Sequence, residues 1–157
     1  MKDSTYSYLK FVLAFIGIIL LALVVYVAAF WFHRKEAALQ LAERARNLEN
    51  EIYQKQLADT YGGKTPQETL QMYIDAVEKG DYGLASKYFV IEKQDYWKNE
   101  LNQISQESKI SNFLSPLKQA YGSAGEYSAD HRGFSIYNPV GVDFVLYPNG
   151  IWKIKEI

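Results

Sequence analysis

The chain has 157 residues, 48% hydrophobic and 22% charged, with a formal net charge of −1 and no cysteine. Missing thiols exclude disulfides and thiolate zinc sites. Residues 65–157 carry nine Lys and Arg against twelve Asp and Glu, so no basic surface invites phosphates and no nucleic-acid partner is expected.

The first element in chain order, after a ten-residue tail (1–10), is the run Phe11 to Phe32. It holds no charged or amide side chain. Only Gly17 and Tyr26 interrupt aliphatic and aromatic residues such as Ile16, Leu21, Val25, Phe30 and Trp31. As a helix it would be about 33 Å long, against roughly 30 Å for the hydrocarbon core of a bilayer. A core helix of a soluble domain would show a polar stripe, which is lacking here. A cleaved signal peptide would have a shorter apolar region and a small-x-small site, whereas Val27-Ala28-Ala29 runs directly into Phe30-Trp31-Phe32. The run is read as an uncleaved span of a single-pass membrane protein, with Tyr6, Tyr8 and Phe11 at one headgroup level and Phe30, Trp31 and Phe32 at the other. No Gly-x-x-x-Gly signals helix pairing within the bilayer.

Two arguments about orientation oppose each other. Lys2 and Lys10 precede the span and Arg34, Lys35, Arg44 and Arg46 follow it, a count that favours a cytoplasmic C-terminal side. A short, positive N-terminal tail is instead the layout of an N-in signal anchor, and long C-terminal domains translocate largely regardless of charge. The expectation adopted is that the C-terminal domain lies outside the cytoplasm.

Residues 33–63 form a charged stretch in which Ala38, Leu41, Ala45, Leu48 and Ile52 recur at spacings of three and four. This predicts a helix with a narrow apolar seam, ended by Gly62-Gly63 and about 45 Å long if helical throughout. Lys55 takes the next seam position, so a solvated stalk and a weak dimeric coil both fit.

Residues 64–157 read as a separate unit. Thr65, Pro66 and Glu68 make a helix start with a capping box, and Leu70, Tyr73, Ile74 and Val77 line one helix face. Gly80 suits a helix end and Asp81 caps a second helix bearing Leu84, Ala85, Tyr88 and Phe89. A third helix is predicted over about Asp95 to Glu107, carrying Trp97, Leu101 and Ile104. A shorter one over Ser111 to Tyr121 is either kinked at Pro116 or begins its last turns after Ser115. From Glu126 the pattern alternates, with Phe134 and Ile136, then Val140, Val142, Phe144 and Leu146. Asn149-Gly150 predicts a two-residue type I′ turn. That turn would set Tyr147 opposite Trp152, Leu146 opposite Lys153 and Val145 opposite Ile154, leaving both sheet faces part apolar.

Helices followed by a terminal antiparallel sheet give an α+β class. The series Thr65-Pro66-x-Glu68-Thr69-Leu70, Tyr73, Ala76, Gly80-Asp81-Tyr82, Ala85 and Tyr88-Phe89, with a closing Gly150-x-Trp152-x-Ile154, resembles the small nuclear-transport-factor-2-like (cystatin-like) domains. The resemblance implies helices packed into a curved sheet whose cone holds a pocket in many members. Many bacterial members sit behind a signal or membrane anchor, and the single-pass inner-membrane component of type IV secretion systems is an assembly subunit.

Groups for chemistry are sparse. The histidines are His33 and His131, the latter beside Asp130 in a turn-like run read as a solvated loop. Asp143 falls opposite Glu156, like charges on an exposed edge. No nucleophile elbow, phosphate loop or metal-ligand cluster is present in the sequence, so no catalytic residue, metal or cofactor is assigned. Tyr88, Trp97, Phe144, Leu146, Tyr147 and Trp152 are the candidate ligand or partner face, with simple core as the plainer explanation. The function expected is a non-catalytic, membrane-anchored binding or assembly module, with the bilayer and a protein partner or a second copy as its contacts. The competing expectation is a pocket that binds or turns over a small apolar ligand, with Asp143 or His131 as its polar group.

Overall fold

The computed structural model describes residues 3–157, with side chains described for 10, 12–31 and 39–157. The predicted roles of Lys2 and of the side chains of Tyr6, Tyr8, Phe11, Phe32, His33, Arg34, Lys35 and Ala38 lie outside the described residues. The architecture is α+β. Helix α1 (Asp3–Ala58) is followed by α2 (Pro66–Glu78), α3 (Tyr82–Lys87), a 3₁₀ turn (Ile91–Lys93), α4 (Gln94–Gln106) and α5 (Ile110–Tyr121). Four strands then form an antiparallel sheet in chain order: β1 (Glu126–Tyr127), β2 (Gly133–Ile136), β3 (Val142–Leu146) and β4 (Trp152–Glu156). The chain divides into two compact units, Met1–Asn50 and Glu51–Ile157.

The first unit is α1 up to Asn50. Its window Val12–Trp31 has a mean hydropathy of 3.0 over 20 residues, and none of it is buried. It is long and apolar enough to cross a membrane, with Ile16, Leu21, Val25, Phe30 and Trp31 all exposed.

In the second unit, Thr65 caps α2 as expected, its hydroxyl accepting from the Glu68 N–H at 3.1 Å. Glu68 closes the motif one residue earlier than a capping box would, because its carboxylate accepts from the Lys64 N–H at 2.6 Å. Asp81 caps α3 through the Leu84 N–H at 2.9 Å, after Gly80 in the left-handed region at φ +74°. The sequence pattern extends the second helix through Tyr88 and Phe89, yet α3 stops at Lys87. Tyr88 to Val90 instead runs along the outer edge of β4: the Ile154 N–H donates to Tyr88 O and the Val90 N–H to Ile154 O, both at 2.9 Å. Pro116 lies within α5, which remains one helix.

Leu70, Tyr73, Ile74 and Val77 of α2 face the sheet with Phe89, Leu101 and Leu117, against Phe134, Ile136, Val142, Phe144 and Ile154. The hairpin that completes this sheet is not a type I′ turn. Tyr147 N–H donates to Ile151 O and Gly150 N–H to Tyr147 O, each at 2.9 Å. Gly150 has φ +82°, while Asn149 is not in the left-handed region. This is a three-residue loop, and Pro148 explains it: its fixed φ favours the second position of a type I turn, with Gly150 taking the left-handed residue that follows. The pairing therefore shifts by one residue from the predicted register, to Leu146 with Trp152, Val145 with Lys153 and Phe144 with Ile154. A one-residue shift exchanges faces. Phe144, Ile154 and Trp152 now share the core side, and Lys153 leaves it. A bulge between Asp143 and Phe144 absorbs the difference, so Asp143 still pairs with Glu156.

Helix α1 ends at Ala58, four residues before the predicted glycine stop. Gly62-Gly63 has a different task, because Gly63 pairs with Trp152 and its carbonyl accepts the Trp152 N–H at 2.9 Å. A Cβ on Gly63 would lie 2.7 Å from Glu68 Cβ, and one on Gly62 would run into the Trp152 carbonyl oxygen. The close approach of this segment to β4 requires Gly62, and its approach to the start of α2 requires Gly63.

Candidate functional site

The face of β4 opposite Trp152 and Ile154 is closed by Lys153, whose side chain is fully buried. Its ammonium donates to Asp59 Oδ2 at 2.7 Å, to Tyr61 O at 2.8 Å and to Lys87 O. Asp59 is itself 7% exposed. The Tyr147 ring centroid lies 5.6 Å from Nζ, and the Tyr147 hydroxyl accepts from the Ile91 N–H at 3.1 Å. Burial pushes the Lys153 ammonium below the ordinary lysine value, with Asp59 acting against it. Burial pushes the Tyr147 hydroxyl up to about 12.

Beside this pair the Asn149 amide sits within hydrogen-bonding distance of Gln56 O (2.9 Å), Leu57 O (3.3 Å) and Asp59 O (2.6 Å). It satisfies carbonyls that the end of α1 leaves without helical partners. A cleft of about 270 Å³ opens over this junction, lined among others by Lys55, Asp59, Tyr61, Lys87 and Gln94.

Chemically the cluster is a clamp. A nucleophilic or basic lysine needs a neutral amine with access to a substrate. All three N–H bonds of Lys153 end on protein oxygens, one of them a carboxylate. The arrangement fixes Asp59 and Tyr61 to the sheet and leaves no donor or lone pair for a reaction.

The predicted ligand or partner face is split by the fold. Tyr88, Trp97, Phe144 and Trp152 are buried in the helix–sheet core, with Leu146 half-buried against it. Tyr147 is buried on the clamp side. These six side chains hold the unit together and do not form one open surface. Phe89 organises their neighbours: it stacks on Trp97 at 4.5 Å and meets the edge of Tyr73 at 5.3 Å. The Tyr73 hydroxyl and Trp97 Nε1 are buried without a hydrogen-bond partner.

His131 sits in the exposed β1–β2 turn at φ +55°. The Asp130 carboxylate accepts from the Ser128 hydroxyl and from the Arg132 N–H at 3.1 Å, which holds its carboxyl below the usual range. Each member of the like-charged pair has its own partner: Asp143 accepts from Ser135 Oγ at 2.6 Å, and Glu156 is ion-paired with Lys93. Among the described residues no three His, Asp or Glu side chains cluster to hold a metal.

Sequence reasoning missed Asp59, Asn149 and Lys153. The available signals were a lysine between Trp152 and Ile154 in an otherwise apolar strand, and Pro148 ahead of the Asn-Gly pair. Compared with protein-family models, curated proteins and solved structures, the chain matches none.

Proposed function

We propose that this is a single-pass membrane protein in which α1 crosses the bilayer over Val12–Trp31 and the second unit serves as a non-catalytic binding or assembly module outside the cytoplasm. Its fold is read as a small nuclear-transport-factor-2-like domain with a curved sheet, and its partner as another protein or a second copy. The observation that carries the reading is the apolar window itself: 20 residues at a mean hydropathy of 3.0, none buried. In water so large an apolar surface invites aggregation; in hydrocarbon it needs no cover. The clamp adds support, because it ties the segment leaving α1 to the sheet at Asp59 and Gly63, as a tethered module requires.

Because the chain has no cysteine, single cysteines introduced at Ser4 and Ser123 report topology directly. The protein should stay with membranes through an alkaline carbonate wash. An impermeant maleimide should reach position 123 but not position 4 in intact cells. Release into the wash sinks the anchor, and the reverse labelling sinks the orientation.

The second reading, a pocket for a small apolar ligand, draws on the unpartnered Tyr73 hydroxyl and Trp97 Nε1 inside the helix–sheet layer. It requires Phe89 to leave the stack between them. Quenching of tryptophan fluorescence by an apolar ligand that is lost in Trp97→Phe would favour this reading over assembly.

A further inference from the structure

Leu41, Ala45 and Leu48 lie along one line of α1, all exposed, Leu41 at 71% and Leu48 at 59%. Written as a heptad, the leucines occupy d and Ala45 occupies a, which sets Arg44 at g and Glu49 at e. Among the described residues neither Arg44 nor Glu49 has an ion-pair partner. In a parallel, in-register pair of helices, a g residue faces the e residue of the partner's next heptad. Arg44 would meet Glu49 of the second copy, and symmetry repeats the pair on the other side. We propose that the Leu41–Glu49 segment is the contact between two parallel copies of this chain, an inference that rests on the membrane reading above.

Two copies inserted in the same direction present their helices parallel and at one depth. That matters because the open seam is short. Ile52 is half-buried in the second unit, and Lys55, at the next d position, is paired with Glu51 at 2.7 Å, so little more than one heptad is available where an isolated coil needs about three. Confinement to one plane fixes orientation and register in advance and raises the effective concentration of each helix for the other.

The test is a cysteine scan of residues 39–50 in the full chain, cross-linked by mild oxidation in native membranes and checked for retention after a carbonate wash. Disulfide yield should peak at Leu41→Cys, Ala45→Cys and Leu48→Cys, and fall several-fold at Leu39→Cys, Glu43→Cys and Asn50→Cys on the opposite side. In the Leu41→Cys background, Arg44→Glu should cut the yield several-fold and adding Glu49→Arg should restore it. A flat or absent profile in carbonate-resistant protein overturns the dimer and leaves the anchor standing, as does a charge exchange that restores nothing. Release of the chain by carbonate overturns the anchor and this contact together.

Discussion

Lys153 Nζ lies 2.7 Å from Asp59 Oδ2, and the two side chains, 94 residues apart in sequence, are closed to solvent. Removing one member of such a pair leaves the other charge buried and uncompensated, at a cost of about 3–5 kcal/mol. Asp59→Ala and Lys153→Met should each lower the unfolding free energy by that order in detergent. Asp59→Ala/Lys153→Met should lose less than the sum of its parts, because no lone charge remains. Denaturant titration followed by near-UV circular dichroism measures all three; additive losses would mean that the pair is not coupled.

Asn149 supports the same junction through its amide donor. Asp suits the third position of a type I turn as well as Asn does, but it presents oxygens to three carbonyls. Asn149→Asp should therefore destabilise more than Asn149→Ala, whose loss should be about 1 kcal/mol, near that of an ordinary hydrogen bond. Hydrogen exchange at Leu57 to Tyr61 should accelerate in both variants. An Asn149→Asp protein as stable as its parent would assign the residue to the turn alone.

The glycine pair gives a third expectation. Gly63→Ala must displace Glu68 or the start of α2, and Gly62→Ala must displace the β4 backbone, each costing about 1–3 kcal/mol as overpacking. Gly80→Ala meets open space and should cost only the strain of its left-handed backbone, about 1 kcal/mol. Thermal unfolding of the three variants orders them, and a Gly62→Ala change milder than Gly80→Ala would refute the close approach.

What can be read from the sequence follows the range of the interaction responsible. Thr65, Pro66 and Asp81 act within four residues, and the helices they begin appear where expected. The alternation of Val142, Phe144 and Leu146 likewise marks β3. The register is misread when Asn-Gly is weighed without Pro148, and one residue of error turns Lys153 towards the wrong face. Its burial depends on Asp59 and Tyr61, far away in sequence, so no local pattern announces it. The same nonlocal pairing stops α3 at Lys87, since the carbonyl of Tyr88 is taken by Ile154.

Tyr73 is buried with a hydroxyl that has no partner, and burial alone pushes its ionisation far above the ordinary tyrosine value. A phenol whose folded pKa is raised holds its proton while the unfolded chain gives it up, so stability does not depend on this group below about pH 10 and declines above it. Tyr147, pushed up to about 12, loses its contribution across the interval from about 10 to 12. Lys153 has the opposite sign: its folded value is depressed, so stability rises with pH until the unfolded lysine deprotonates near about 10.4. The fall attributable to the tyrosines should therefore emerge only beyond about pH 10. Tyr73→Phe removes an unsatisfied polar atom while keeping the ring on Phe89, and should raise stability at about pH 7 by about 1 kcal/mol. The same change should flatten the alkaline decline. Unfolding midpoints at neutral pH and at about pH 11 for the parent and the variant decide it: a Tyr73→Phe protein that is less stable at both values would show that the hydroxyl has a partner after all.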